Sequence, residues 1–170
     1  MKSKLYPAII LIVICTVVSA LLVAVNYITA PEIKRVEEKK IQDNLNSVYV
    51  GGENFVKISE ETLPDKLPES IVAVFREDKG GYVFQMKTQG YKSGLVIMCG
   101  ISPEGRIVGA KCVISNETNK AEHTLGEKFI NMDAEAFTPE IVSGSTKTSK
   151  AYSGAIKDAL DAFAIIKEGK

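Results

Sequence analysis

The sequence predicts an α+β protein, with one N-terminal transmembrane helix followed by an antiparallel β-meander packed with helices. Three observations carry this. Leu5 to Val25 is an almost unbroken apolar run without a charge. Four runs rich in β-branched and aromatic residues follow, at 71–76, 82–88, 95–101 and 106–114, each bounded by turn residues. Tyr152, Ala155, Ile156, Ala159, Leu160, Phe163 and Ile166 then recur at helical spacing within Ser149 to Lys167. The implied division is an anchor at 1–28, a helical linker and irregular connection at 29–70, and a domain at 71–170.

At about 1.5 Å per helical residue, the first run is long enough to cross a hydrocarbon core of about 30 Å, so the lipid bilayer is its expected partner. It exceeds the apolar core of a cleaved leader, and the small-residue site ending at Ala30 is followed by Pro31. Cys15 follows Ile14, whereas lipoprotein signals resemble a small residue directly before the cysteine. Lys2 and Lys4 flank the run more closely than Lys34, Arg35, Lys39 and Lys40. That proximity predicts an inner N-terminus, with the C-terminal domain on the outer face of a cytoplasmic or inner membrane.

Pro31 to Val48 is expected to form a separate helix, with Pro31 in its first turn and Ile33, Val36, Ile41, Leu45 and Val48 at roughly helical spacing. Gly51-Gly52 ends it, and Leu63-Pro64 and Leu67-Pro68 mark an irregular connection. Lys79-Gly80-Gly81 and Ser102-Pro103-Glu104-Gly105 are the clearest turns between the four strands. A turn at Pro103-Glu104 would set Cys99 opposite Val108, leaving Cys112 four residues further along. At about 3.4 Å per residue that is about 13 Å, beyond the roughly 7 Å that a disulfide spans between α-carbons, so both thiols are expected free and buried. After the last strand, a polar loop from Ser115 to Gly126 leads into a helical segment around Glu127 to Asn131.

Composition narrows the chemistry. The 170 residues carry a formal net charge of zero, which gives no case for nucleic acid as a partner. One histidine, His123, lies in the polar loop and is expected to be solvated. It leaves little for metal sites or histidine-dependent nucleophilic catalysis. Lys147-Thr148-Ser149 is similar to the Lys-Thr-Gly box of penicillin-binding enzymes, but the chain contains no Ser-x-x-Lys. It also lacks the Gly-Lys-Thr/Ser step of a phosphate loop and the cysteine spacing of an iron–sulfur or zinc site.

The stretch Ser143-Gly144-Ser145-Thr146-Lys147-Thr148-Ser149-Lys150 concentrates small residues, hydroxyls and positive charge where the last helical pattern begins. Gly144 permits close backbone approach, and the free amides of a helix start favour an anion such as phosphate. An ordinary capped helix start has the same local composition. With Ile141 and Val142, the stretch resembles the Ser-Gly-Ala-Thr-x-Thr-Ser signature of the FMN-binding domain. That domain occurs in the G-type component of Rnf electron-transport complexes (the RnfG family) and in the C-type component of the sodium-translocating NADH:quinone reductase. Ser145 stands where the family usually has Ala, and Glu140 where it usually has Asp.

The resemblance implies FMN joined by a phosphoester to Thr146, installed by a separate flavin transferase, with Ser143, Gly144, Ser145, Lys147 and Thr148 around it. Gly90 to Gly94 resembles the approach to the family's central hairpin. The loop Glu117 to Gly126 resembles the family's Glu-Thr-Pro-Gly-Leu-Gly loop at Glu117, Thr118, Leu125 and Gly126, with an insertion in place of Pro-Gly. It makes Thr118 the candidate for a polar contact to the flavin ring and Leu125 for an apolar one. The implied function is an electron carrier inside an ion-translocating ferredoxin:NAD oxidoreductase, partnered by its other membrane and redox subunits, without a substrate pocket of its own. A membrane-anchored assembly or sensory module that binds FMN reversibly or not at all is the alternative.

Overall fold

The computed structural model describes residues 2–64, 66–118 and 120–168 and divides into two compact units, Met1–Ile41 and Gln42–Lys170. The first helix, α1, runs over Lys2–Val48, with Pro7 and Pro31 inside it. The break expected at Pro31 is absent. A proline removes a single ladder donor, and the helix continues past it. In the first unit the apolar side chains from Ile9 to Ile28 are mostly exposed, and the Thr16 and Thr29 hydroxyls donate to the carbonyls of Ile12 and Val25 within the helix. A helix that satisfies its own polar groups and turns apolar side chains outward suits lipid. It is the one helix among the described residues long and apolar enough to cross a membrane.

The second unit is built on a five-stranded antiparallel sheet in the order β1-β2-β3-β4-β5. The strands are β1 (Val56–Lys57), β2 (Ile71–Arg76), β3 (Tyr82–Gln89), β4 (Ser93–Ile101) and β5 (Ile107–Ile114). After β5 come a short helix, α2 (Glu122–Leu125), a 3₁₀ turn over Gly126–Phe129, and the long helix α3 (Thr146–Glu168). The helical segment expected around Glu127 to Asn131 therefore lies earlier. Asn131 turns left-handed at φ 68°, and its amide donates to Ile107 O at 2.8 Å, which ends the turn against β5.

Alternation along the strands gives the sheet two apolar faces, and each is covered. Phe84, Met86, Leu95, Ile97, Cys99 and Ile101 pack with Tyr152, Ile156, Leu160 and Phe163 of α3 in one core. Burying each such aliphatic or aromatic side chain contributes roughly 1.5–3 kcal/mol. On the other face Ala73, Phe75, Val83 and Met98 pack with Phe55 and with Leu45 and Val48 from the last turns of α1. Gly109 makes this second contact possible, because a Cβ there would collide with the backbone carbonyl of Val48.

The β4–β5 register corrects one expectation. Cys99 lies opposite Ala110, not Val108, and Cys112 lies opposite Ile97. Two extra residues account for the shift of two. Gly105, at φ 89°, lengthens the turn that its amide closes on Ser102 O, and the ladder slips again between Gly100↔Gly109 and Ile101↔Ile107, leaving Val108 as a bulge. Both cysteines are free and buried on the α3 side of the sheet. Burial pushes the Cys99 thiol up to about 12. It also raises Cys112 to about 11, with the Glu122 and Glu117 carboxylates adding to the effect. Only a thiolate attacks a thiol reagent. In the folded chain at mildly alkaline pH both should therefore label slowly, both should label fast on unfolding, and non-reducing mass analysis should show no loss of two hydrogens.

Candidate functional site

The helix start expected to hold an anion is built by one compact turn. Ser145 N donates to Val142 O at 3.0 Å, and Gly144 occupies the third position at φ 79°, which L side chains avoid. The Ser145 carbonyl then accepts Ser149 N at 2.9 Å, so Ser145 is the capping residue and Thr146, Lys147 and Thr148 form the first turn of α3. The first amides of a helix have no intrahelical acceptor and carry part of its positive pole. The turn is fastened from below. Ser149 Oγ donates to Ser145 O at 2.8 Å and accepts Val142 N at 3.1 Å, and Ser153 Oγ bonds both the amide and the carbonyl of Glu140. The Glu140 carboxylate accepts Lys128 Nζ at 2.9 Å.

Above this turn lies a cleft of about 500 Å³, lined by Gly144 to Thr148, by Glu117 and Thr118 of the loop after β5, and by Tyr91 of the β3–β4 turn. Glu117 ties these three segments together. Its Oε2 accepts the Thr148 hydroxyl at 2.9 Å, its Oε1 accepts Lys92 N at 3.0 Å, and its own amide donates to Ser115 Oγ at 3.1 Å. Ser115 Oγ in turn donates to Glu122 Oε1 at 2.5 Å, beneath the loop. Gly90 leaves room for this arrangement, since a Cβ there would lie 2.5 Å from Glu117 Oε1 and 3.2 Å from Thr148 Oγ1.

The hydroxyls of the site are not equivalent. Ser145, Thr148 and Ser149 are buried, and the last two donate their protons to Glu117 and to Ser145 O. Thr146 is exposed at the cleft. Lys147 is exposed beside it and supplies positive charge.

Of the residues singled out in the sequence, Gly144, Ser145, Thr146, Lys147, Thr148, Glu117 and Thr118 meet in this cleft. Ser143 is exposed in the preceding turn and does not line it. Leu125 is fully buried in the α3-side core, and Gly126 is packed against the Ala110 carbonyl of β5, where a Cβ would collide. His123 is partly exposed, with Nε2 3.8 Å from Glu122 Oε1. Tyr91 is the lining residue that sequence reasoning missed. Its signal is an aromatic between Gly90 and Gly94, in a turn where strand alternation has already ended.

A cleft of this size falls within the roughly 300–1,000 Å³ of small-molecule sites, and its donors and positive charge gather at one end. Residues 90–161 match the FMN-binding domain, a span that includes every lining residue of the cleft. Over that span the chain is similar to a domain that binds FMN. The likeness also extends beyond it. Over 176 aligned positions, covering 94% of this chain and 91% of the relative, it is 22% identical to the G subunit of the proton-translocating ferredoxin:NAD(+) oxidoreductase complex of Clostridium ljungdahlii. The Rnf resemblance carried by Ile141 to Ser149 thus holds along nearly the whole chain. The cleft suits the FMN that this likeness implies in chemical terms: Gly144 to Thr148 bring small residues, donors and the Lys147 charge, and an exposed aromatic, Tyr91, and Thr118 also line it.

Proposed function

We propose that the chain is a membrane-anchored flavoprotein that carries FMN covalently on Thr146 and relays electrons within an Rnf-type ion-translocating complex. The observation that carries the attachment is the contrast among hydroxyls: Thr146 is exposed at the cleft, whereas Thr148 and Ser149 are buried and already donate. The bond joins Thr146 Oγ1 to the flavin phosphate. The transferase draws the flavin phosphate from an activated flavin phosphoanhydride, whose P–O–P bond breaks as the Thr146 Oγ1–P bond forms; the second phosphate group leaves with the hydroxyl proton, so the chain gains the mass of FMN less one water. The free amides at the start of α3, together with Lys147, balance the remaining phosphodiester charge. Bound flavin accepts electrons as a pair and releases them singly, and the chain supplies its placement and surroundings. A relative named as part of a ferredoxin:NAD(+) oxidoreductase complex supports that setting, with the other membrane and redox subunits as partners and a flavin transferase acting during maturation.

The test is direct. Full-length chain co-expressed with a flavin transferase should fluoresce on a denaturing gel, and its peptide map should place the added mass on the peptide holding Thr146. Flavin that washes off on denaturation would support reversible binding, and no flavin at all would favour the assembly or sensory reading.

The same reading puts the domain on the outer face of the membrane, as the close Lys2 and Lys4 indicate. Lys79 is exposed in the β2–β3 turn, so a Lys79→Cys variant should react with an impermeant thiol reagent in intact cells. Labelling confined to inside-out vesicles would reverse the orientation.

A further inference from the structure

Among the described residues of Gln42–Lys170, the aromatic side chains other than Tyr91 are buried or half-buried. Tyr91 is 68% exposed, and it lines the same cleft as Thr146. Strand pairing stops at Gln89↔Ser93, after a register shift between Thr88 and Gln89, so Tyr91 occupies the hairpin tip with no cross-strand neighbour. The tip is nevertheless held. Lys92 N on one side of Tyr91 is bonded to Glu117 Oε1, and Gly90 on the other packs against the same carboxylate and the Thr148 hydroxyl. Glu117 in turn grips α3 through Thr148. The backbone on both sides of the ring is therefore pinned to the first turn of α3, while the ring itself is left uncovered.

We propose that the isoalloxazine ring of the flavin lies against the face of Tyr91, which makes Tyr91 a cofactor-contacting residue. This rests on the flavin reading above. An aromatic ring exposed at the wall of a cleft gains most from a flat, conjugated partner, which removes its apolar face from water while the phenol oxygen stays wet. Thr146 and Tyr91 line one cleft, so a ring system tethered at the first has the second within its confined range. A stacked phenol also has a photophysical signature. It passes an electron to the excited flavin, which returns it without emitting, and the fluorescence of the folded protein is quenched.

The experiment compares wild type with Tyr91→Leu, Tyr91→Phe and Tyr91→Trp in the full-length chain, co-expressed with the flavin transferase. Denaturing-gel fluorescence gives the flavin bound per chain, and the emission of the folded protein is divided by it. The Leu and Phe variants, which lack the electron donor, should be several-fold brighter per bound flavin when folded, and the Trp variant should stay dark. Equal brightness of wild type, Leu and Phe overturns the stacking while leaving the flavin reading standing. Wild type without flavin removes both. Circular dichroism in the far ultraviolet checks the fold, and if the Leu variant does not fold, the Phe variant decides.

Discussion

Thr146→Val should give a folded chain with no covalent flavin. The substitution keeps the branched shape and removes the one oxygen proposed to bond phosphate. Thr146 follows the capping residue, so no cap is lost, and it is exposed, a setting in which substitutions usually change stability by less than about 0.5 kcal/mol. Denaturing-gel fluorescence and the added mass should both vanish, while the unfolding midpoint stays near wild type. Thr148→Val is the informative contrast. Its hydroxyl is buried and donates to Glu117, so its loss strips a partner from a half-buried carboxylate at a cost of about 1–3 kcal/mol, while the acceptor oxygen on Thr146 remains. Flavin should then still attach. A Thr146→Val chain that retained its covalent flavin would move the bond to Ser145 or Thr148.

The second large effect is on stability. Gly126→Ala would drive a methyl group into the Ala110 carbonyl of β5, with the Tyr152 hydroxyl only 2.9 Å away. Neither backbone can yield by rotating a side chain. The turn must lift off the strand, uncovering Leu125 and Phe129, both fully buried. The cost should exceed the roughly 1–3 kcal/mol of ordinary overpacking, a large share of the about 5–15 kcal/mol that holds a domain folded. Gly154→Ala is the control. Gly154 is exposed in α3 with open space around its Cα, so removing a mid-helix glycine should stabilise by about 0.5–1 kcal/mol. Urea denaturation of the detergent-solubilised chain, followed by near-ultraviolet circular dichroism of its tyrosines, would measure both. A Gly126→Ala midpoint equal to wild type would mean that the turn can shift without loosening the core.

The main strands and α3 were legible because each leaves a period in the chain. The four expected strands match β2 to β5 within two residues at every boundary, and the stripe from Tyr152 to Ile166 is buried throughout. β1 left no such mark, since Val56–Lys57 is two residues long and both are exposed. The bulge at Val108 was equally silent, because one extra residue in a run of apolar and small residues changes neither composition nor turn chemistry. In the cleft, the motif around Thr146 was readable as a contiguous string, while Gly90 and Tyr91 depended on a hairpin tip reaching α3 through Glu117. Their role is a property of tertiary pairing. Leu125 and Gly126 were readable only as a local match, and their core packing and contact with β5 are again set by tertiary structure.

The contact between Val48 and Gly109 bears on how this domain can be detached from its membrane helix. The last turns of α1 are not a spacer, because Leu45 and Val48 are fully or almost fully buried on the sheet face opposite α3. A protease or an engineer who cuts after Tyr49 removes that cover and bares Ala73, Phe75, Val83 and Met98, a sheet face that water would drive into aggregation. A cut before Gln42 keeps the cover attached. The peptide that looks like the tail of the anchor is, in packing terms, the first element of the domain that follows it.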